Sequence, residues 1–236
     1  VNGDKVIING KKSFVLNGKE ADIIIVPART SGSQTEEEGI SLFIVESNIS
    51  GISKNNYKTV DGHSASEITF KNVEVSKDNL LGEIGNGYQA IESTIDDAIL
   101  AVCAEATGIM KSLHDKTVEY SKNRVQFGVP IGGFQALQHR MVDTLMACEE
   151  TESILLWALT TNQDDSSSLK KAISGLKYQI GTAGKHVGQE AVQLHGGMGI
   201  SWELDIAHFF KRLSSIEILF GNADFHMKRF LTLSNN

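Results

Sequence analysis

The stretch YQAIESTIDDAILAVCAEATGIMKSLHDKTVEY, residues 88–120, decides the fold. Its apolar residues Ile91, Ile95, Leu100, Val102, Ala106, Ile109, Met110 and Leu113 recur at about the 3.6-residue period of a one-sided helix. Three further stretches of this kind follow it. Phe134 to Thr161 is the second. Ser168 to Leu194 is the third, and its serine-rich start, Ser166-Ser167-Ser168, suits an N-cap. Leu204 to Leu233 is the fourth, with an interruption expected near Gly221-Asn222. Four long amphipathic segments joined by short connections predict a helical bundle.

Upstream the period changes. Val6-Ile7-Ile8 precedes Asn9-Gly10, a dipeptide that suits a tight hairpin turn, and Lys12 to Leu16 runs into a second turn at Asn17-Gly18. Asp22 to Val26 reads as a buried strand ending near Pro27, and Ser41 to Val45 as another. Thr30 to Gly39, with Glu36-Glu37-Glu38, reads as a polar loop. Ser66 to Phe70 alternates in polarity, as a half-buried strand does. The expected class is therefore α+β and mostly α, with a β piece over residues 1–82 and a helical domain over 83–236. Strands and helices do not alternate, which excludes a doubly wound nucleotide fold.

Composition narrows the function. The 236 residues carry 22 Lys+Arg against 29 Asp+Glu, a net charge of -7, which argues against a nucleic-acid binder. No apolar run is long enough to span a bilayer. Cys103 and Cys148 have no partner motif, which implies a reducing compartment such as the bacterial cytoplasm, with no metal site. No signal peptide is visible. The chain starts at Val1, directly in strand-like sequence, so a fragment or processed chain is expected.

The residues that carry chemistry sit at the helix connections. Arg124-Val125-Gln126-Phe127-Gly128 follows the first helix. An arginine, an aromatic and a glycine at a helix end suit a phosphate group, with glycine permitting close backbone approach. The same residues also suit an arginine capping terminal carbonyls beside a core phenylalanine. Gln193-Leu194-His195-Gly196-Gly197-Met198-Gly199 follows the third helix and alone is compatible with a simple C-cap and turn.

Together these motifs resemble the acyl-CoA dehydrogenase family over essentially the whole chain. Asn9-Gly10 through Asn17-Gly18, then Ala21-Asp22, looks like a hairpin of its middle domain. Asn79-Leu80-Leu81-Gly82 is similar to the exit into the bundle. Arg124, Gln126, Phe127 and Gly128, with Phe134, Gln135 and Gln138, match one signature. Gln193, Gly196, Gly197 and Gly199 match the second. The resemblance implies the tail of a β-barrel-like middle domain followed by a C-terminal four-helix bundle. It implies FAD as cofactor, an acyl-CoA thioester as substrate and electron-transfer flavoprotein as acceptor, in a homo- or hetero-oligomer of dehydrogenase-like subunits. Arg124, Gln126 and Phe127 would contact FAD across a subunit interface, with Phe134 and Gln135 close by. Gln193, Gly196 and Gly197 would approach the pyrophosphate, and Phe14 the isoalloxazine. Leu16 stands where many members carry a flavin-bonding hydroxyl.

The family reaction needs a carboxylate to remove the substrate α-proton. The two positions where members carry that glutamate hold Phe220 and Ala98 here. The nearest acids are Asp97 and Glu217, and one residue turns a helix by about 100°, so Asp97 would point away from the site. Three readings remain: a flavin-binding subunit whose partner supplies the base, resembling small subunits of heteromeric, pimeloyl-CoA-type dehydrogenases; a complete dehydrogenase using Asp97; and a non-catalytic scaffold.

Overall fold

The computed structural model describes residues 4–162 and 165–235. The chain divides into two compact units between Thr94 and Ile95.

The first unit holds two three-stranded antiparallel sheets. One has the order β1 (Lys5–Leu16), β5 (Ser64–Ser76), β4 (Ile52–Lys58); the other β2 (Ile23–Arg29), β3 (Ile40–Glu46), β6 (Leu80–Leu81). Val6, Ile8, Ile68, Phe70, Val73 and Val75 from one sheet meet Val26, Phe43 and Val45 from the other in a single core. Alternate residues of each strand face inward and pack the two sheets together. The outward residues are not all polar: Ile7, Ile23, Ile25 and Ile44 are exposed, and β2 buries only Val26, so it is not the buried strand its sequence suggested.

The Asn9-Gly10 hairpin does not form. β1 runs straight through it and pairs with β5, some sixty residues later, in a register that slips between Ile8↔Val73 and Gly10↔Phe70. Asn9 therefore serves a bulge: its side-chain oxygen accepts the Asn72 N–H at 2.8 Å. The turn at Asn17-Gly18 does form, with the Gly18 N–H donating to the Val15 carbonyl. β2 does not stop before Pro27 but continues to Arg29, because it is an edge strand, where a missing N–H is tolerated. The acidic loop after it is gathered by Arg29, whose guanidinium donates to the carbonyls of Glu36 and Glu38 at 2.6 and 3.0 Å. β4 was not expected, since its sequence, ISKNNYK, is polar and only Ile52 and Lys54 are partly buried.

The second unit is helical: α1 (Tyr88–Asn123), α2 (Gln135–Thr160), α3 (Ser166–His195), α4 (Ile206–Ile218) and α5 (Ala223–Ser234). α3 is the most enclosed, burying Ala172, Ile173, Leu176, Ile180, Ala183, Val187 and Ala191. Its glycines set helix spacing: a Cβ on Gly181 would lie 2.9 Å from Ala223, and one on Gly188 the same distance from Phe210. The N-cap of α3 is Asp165 rather than a serine; its carboxylate accepts the Ser168 N–H at 3.1 Å, and the serines fill the first turn. Bidentate ion pairs tie the helices: Arg212–Glu105, Arg229–Asp96 and Arg140–Glu190. Cys103 and Cys148 are both buried here, and burial pushes their thiols up to about 12 and about 11. α2 leaves Val142, Leu145, Met146, Leu156, Trp157 and Leu159 exposed. No helix among the described residues is long and apolar enough to cross a membrane.

Candidate functional site

α1 ends where Arg124 donates its N–H to the Tyr120 carbonyl at 2.8 Å. The chain then reverses through a small hairpin, β7 (Val125–Gln126) and β8 (Val129–Pro130). Phe127 (φ 56°) and Gly128 (φ 83°) form its two-residue turn. Positive φ at both central residues is the type I′ geometry that matches strand twist. Glycine takes it freely, but a bulky side chain there is strained. Phe127 is 92% exposed, so it is not the core phenylalanine that the sequence left open. Its ring stands edge-to-face with Phe134, at 6.2 Å between centroids. Gln135 opens α2 behind it, and Gln138 donates to the Gly132 carbonyl.

α3 ends at His195, and Gly196 turns the chain with φ 60° and ψ -140°. A Cβ on Gly196 or Gly197 would meet nothing within 4 Å, so open ground lies over this turn, with the Gln193 side chain exposed beside it. His195 is buried, and burial holds its imidazole below the usual histidine range, with Nδ1 2.8 Å from the Ala191 carbonyl. Its ring stacks on Tyr120 at 4.3 Å, and the Tyr120 hydroxyl donates to the His195 carbonyl at 3.5 Å. That stack brings the two helix-end motifs together, because Tyr120 carries the hydrogen bond that begins the Arg124 hairpin. A cleft of about 350 Å³ opens alongside, lined by Lys116, Tyr120, Asn123, His195 and Asp205. Sequence reading missed Tyr120; its signal was its position one helical turn before Arg124.

In the sheet unit, Phe14 is a second strained phenylalanine, with φ 54° and the residue 44% exposed. It sits in a bulge: Lys12 pairs with Ile68 and Val15 with Ser66, leaving Ser13 and Phe14 opposite Glu67 alone. Leu16, two residues on, is 42% exposed.

Comparison with known proteins shows the family. The acyl-CoA dehydrogenase middle domain matches residues 1–73, and the acyl-CoA dehydrogenase C-terminal domain matches residues 85–231. The chain belongs to the acyl-CoA dehydrogenase family. It is 32% identical over 223 residues to the short-chain specific acyl-CoA dehydrogenase of Megasphaera elsdenii, covering 91% of this chain and 56% of that one. It is 30% identical over 212 residues to a subunit of the caffeyl-CoA reductase-Etf complex of Acetobacterium woodii, covering 89% of this chain and 55% of that one. A crystal structure of an acyl-CoA dehydrogenase from Geobacillus kaustophilus superposes with a TM-score of 0.92 at 26% identity, covering 100% of this chain and 63% of that one. The chain thus spans little more than half the length of the curated relatives it matches.

Family members use FAD. The donor set here fits a diphosphate-bearing cofactor: an exposed guanidinium at Arg124, an exposed amide at Gln193, and a turn whose glycines leave room for close approach. Neither side chain has an ion pair or hydrogen bond of its own among the described residues.

The family's base positions look different. Phe220 is the third strained phenylalanine, φ 58°, in the turn between α4 and α5. That turn is held from inside. The Phe220 carbonyl accepts from His226 Nε2 at 3.0 Å, and Lys177, fully buried, donates to the carbonyls of Glu217 and Gly221 at 2.9 and 2.8 Å. The Glu217 carboxylate accepts the Ala223 N–H at 3.3 Å, in a structural role. On α1, Ala98 is half-buried, Asp97 is exposed, and Asp96 is buried against Arg229. Glu105 of α1 is a bundle ion-pair partner of Arg212.

Proposed function

We propose that this chain is the flavin-binding portion of an acyl-CoA dehydrogenase acting on an acyl-CoA thioester. We propose further that it belongs to a subunit whose partner supplies the base. The observation that carries the reading is the Tyr120–His195 stack, which joins the Arg124 hairpin to the Gly196-Gly197 turn. When bound, FAD would supply the acceptor for the substrate β-hydrogen as hydride. Arg124 would neutralise phosphate, and Gln193 with the Gly196-Gly197 backbone would approach the pyrophosphate. Gln126 and Phe127 would present amide and ring to the cofactor across a subunit interface, with Phe134 and Gln135 behind them. Phe14 would face the isoalloxazine.

Three strained phenylalanines support this reading, since left-handed backbone on bulky residues persists where a site needs it. The subunit reading is supported by Phe220 and Ala98, neither of which can hold a proton. The exposure of Asp97 favours a solvated acid over a displaced base. The relative from a reductase-Etf complex supports electron-transfer flavoprotein as the redox partner.

The test is FAD retention. Arg124→Ala should lower affinity by about 1.5–3 kcal/mol, the loss of charge-assisted phosphate contacts. Flavin occupancy equal to wild type, measured near the dissociation constant, would count against the assignment. Flavin bleaching by a panel of acyl-CoAs tests the base. Bleaching that appears only with a second dehydrogenase-like chain supports the subunit reading, and rapid bleaching abolished by Asp97→Asn overturns it.

A further inference from the structure

We propose that Glu67 is the positioning residue that holds Phe14 in its flavin-facing conformation; this rests on the reading of Phe14 above. A bulge breaks the strand ladder and leaves an N–H without its cross-strand carbonyl. Here the missing acceptor is a side chain. Glu67 Oε1 accepts the Phe14 N–H at 3.3 Å, and Oε2 accepts the Ser13 hydroxyl at 3.1 Å. One carboxylate, on the residue facing the bulge, thus binds both bulged residues. It is itself fixed from two sides, by Lys11 Nζ at 2.6 Å and by the Tyr57 hydroxyl at 3.4 Å. Lys11, Phe14 and Ser13 together hold the Glu67 carboxyl below the usual range, so it stays an acceptor at neutral pH.

The strain at Phe14 makes the role necessary. A phenylalanine with φ 54° returns to the extended region unless its surroundings fix it. Leaving the left-handed region redirects the ring, because φ and ψ set where the Cα–Cβ bond points, and moves the Phe14 N–H off the Glu67 carboxylate. The ring is only half covered, and Glu67 provides the charged acceptor at this point of the ladder.

The experiment titrates FAD into the flavin-stripped, full-length protein. It records both the dissociation constant and the resolution of the visible flavin bands for wild type, Phe14→Ala, Glu67→Ala, Glu67→Gln and the double variant. Glu67→Ala should weaken FAD about tenfold and blur the bands as Phe14→Ala does, the size of one lost charge-assisted hydrogen bond. Glu67→Gln, which keeps an acceptor for the Phe14 N–H, should stay within about threefold of wild type. The double variant should be no worse than Phe14→Ala alone, since Glu67 acts only through that ring. If Phe14→Ala weakens FAD while Glu67→Ala does not, or if the two losses add, the positioning role is wrong and the flavin reading stands. If wild type binds no FAD, or Phe14→Ala changes nothing, the flavin reading of Phe14 fails and takes the positioning role with it. Should Glu67→Ala not fold, Glu67→Val, which suits a strand, is read by the same criteria.

Discussion

His226 makes the helical unit sensitive to acid. It lies fully buried in α5, with Nε2 donating to the Phe220 carbonyl and Nδ1 without a partner among the described residues. Burial, then the charges of Lys177 and Arg229, lowers its imidazole from 6.5 to about 4, against the opposing pull of the Phe220 carbonyl and Asp96. The folded protein keeps the ring neutral, whereas the unfolded chain protonates it near 6.5. The stabilisation is therefore complete above the unfolded value and is lost as pH falls toward the folded one. Full loss is worth about 3 kcal/mol, and about 2 kcal/mol of it goes between pH 7.5 and pH 5. Urea unfolding followed by tryptophan fluorescence reads this unit directly, since both tryptophans, Trp157 and Trp202, lie in it. His226→Gln keeps a donor for the Phe220 carbonyl and removes the titration. His114 and His195 are also lowered by burial but are common to both proteins and cancel. The gap between variant and wild type should shift by about 2 kcal/mol toward the variant on going from pH 7.5 to pH 5. Two stability curves that fall in parallel would refute the reasoning.

Three further outcomes follow from the same geometry. Asp96→Ala leaves the part-buried Arg229 without its bidentate carboxylate and should cost about 3 kcal/mol in urea unfolding; Asp96→Leu with Arg229→Met should recover most of it. Lys177→Met strips the donors from the Glu217 and Gly221 carbonyls and should cost about 2 kcal/mol, net of no longer burying an ammonium, measured by the same transition. Phe127→Asn suits the left-handed turn and should stabilise by about 1 kcal/mol while lowering FAD retention; a variant that loses stability would show the ring to be structural.

What was legible in the sequence followed from periodicity and order. The helices announced themselves because α1 and α3 each bury one continuous stripe. The break between α4 and α5 was visible in Gly221-Asn222, where the Asn222 side chain does cap α5. Asn9-Gly10 misled, because turn chemistry is local and the true partner of β1 lies far along the chain. β4 was hidden by its polar residues, since an edge strand needs little burial. The strain at Phe14, Phe127 and Phe220 was invisible: nothing in a phenylalanine's identity reports its φ. The spacing of Tyr120 before Arg124 was readable, but its stack on His195 and the grip of the Glu67 carboxylate were not, since each joins positions that only the folded chain brings together.

The two buried thiols give this protein a built-in clock for breathing motions. Within residues 1–236 the thiols are Cys103 and Cys148, both in the helical unit, so alkylation followed at these two sites reports on that unit. With their thiols held protonated by burial, Cys103 and Cys148 react only when their surroundings open to water. Their enclosures differ. Cys103 is fully enclosed on α1, whereas Cys148 is 8% exposed on α2, whose outer face is bare. Labelling of Cys148 therefore times the lifting of α2, and labelling of Cys103 times the rarer event that exposes the centre. A mass spectrum of the native chain, taken at intervals, separates peripheral fraying from global unfolding without any engineered probe.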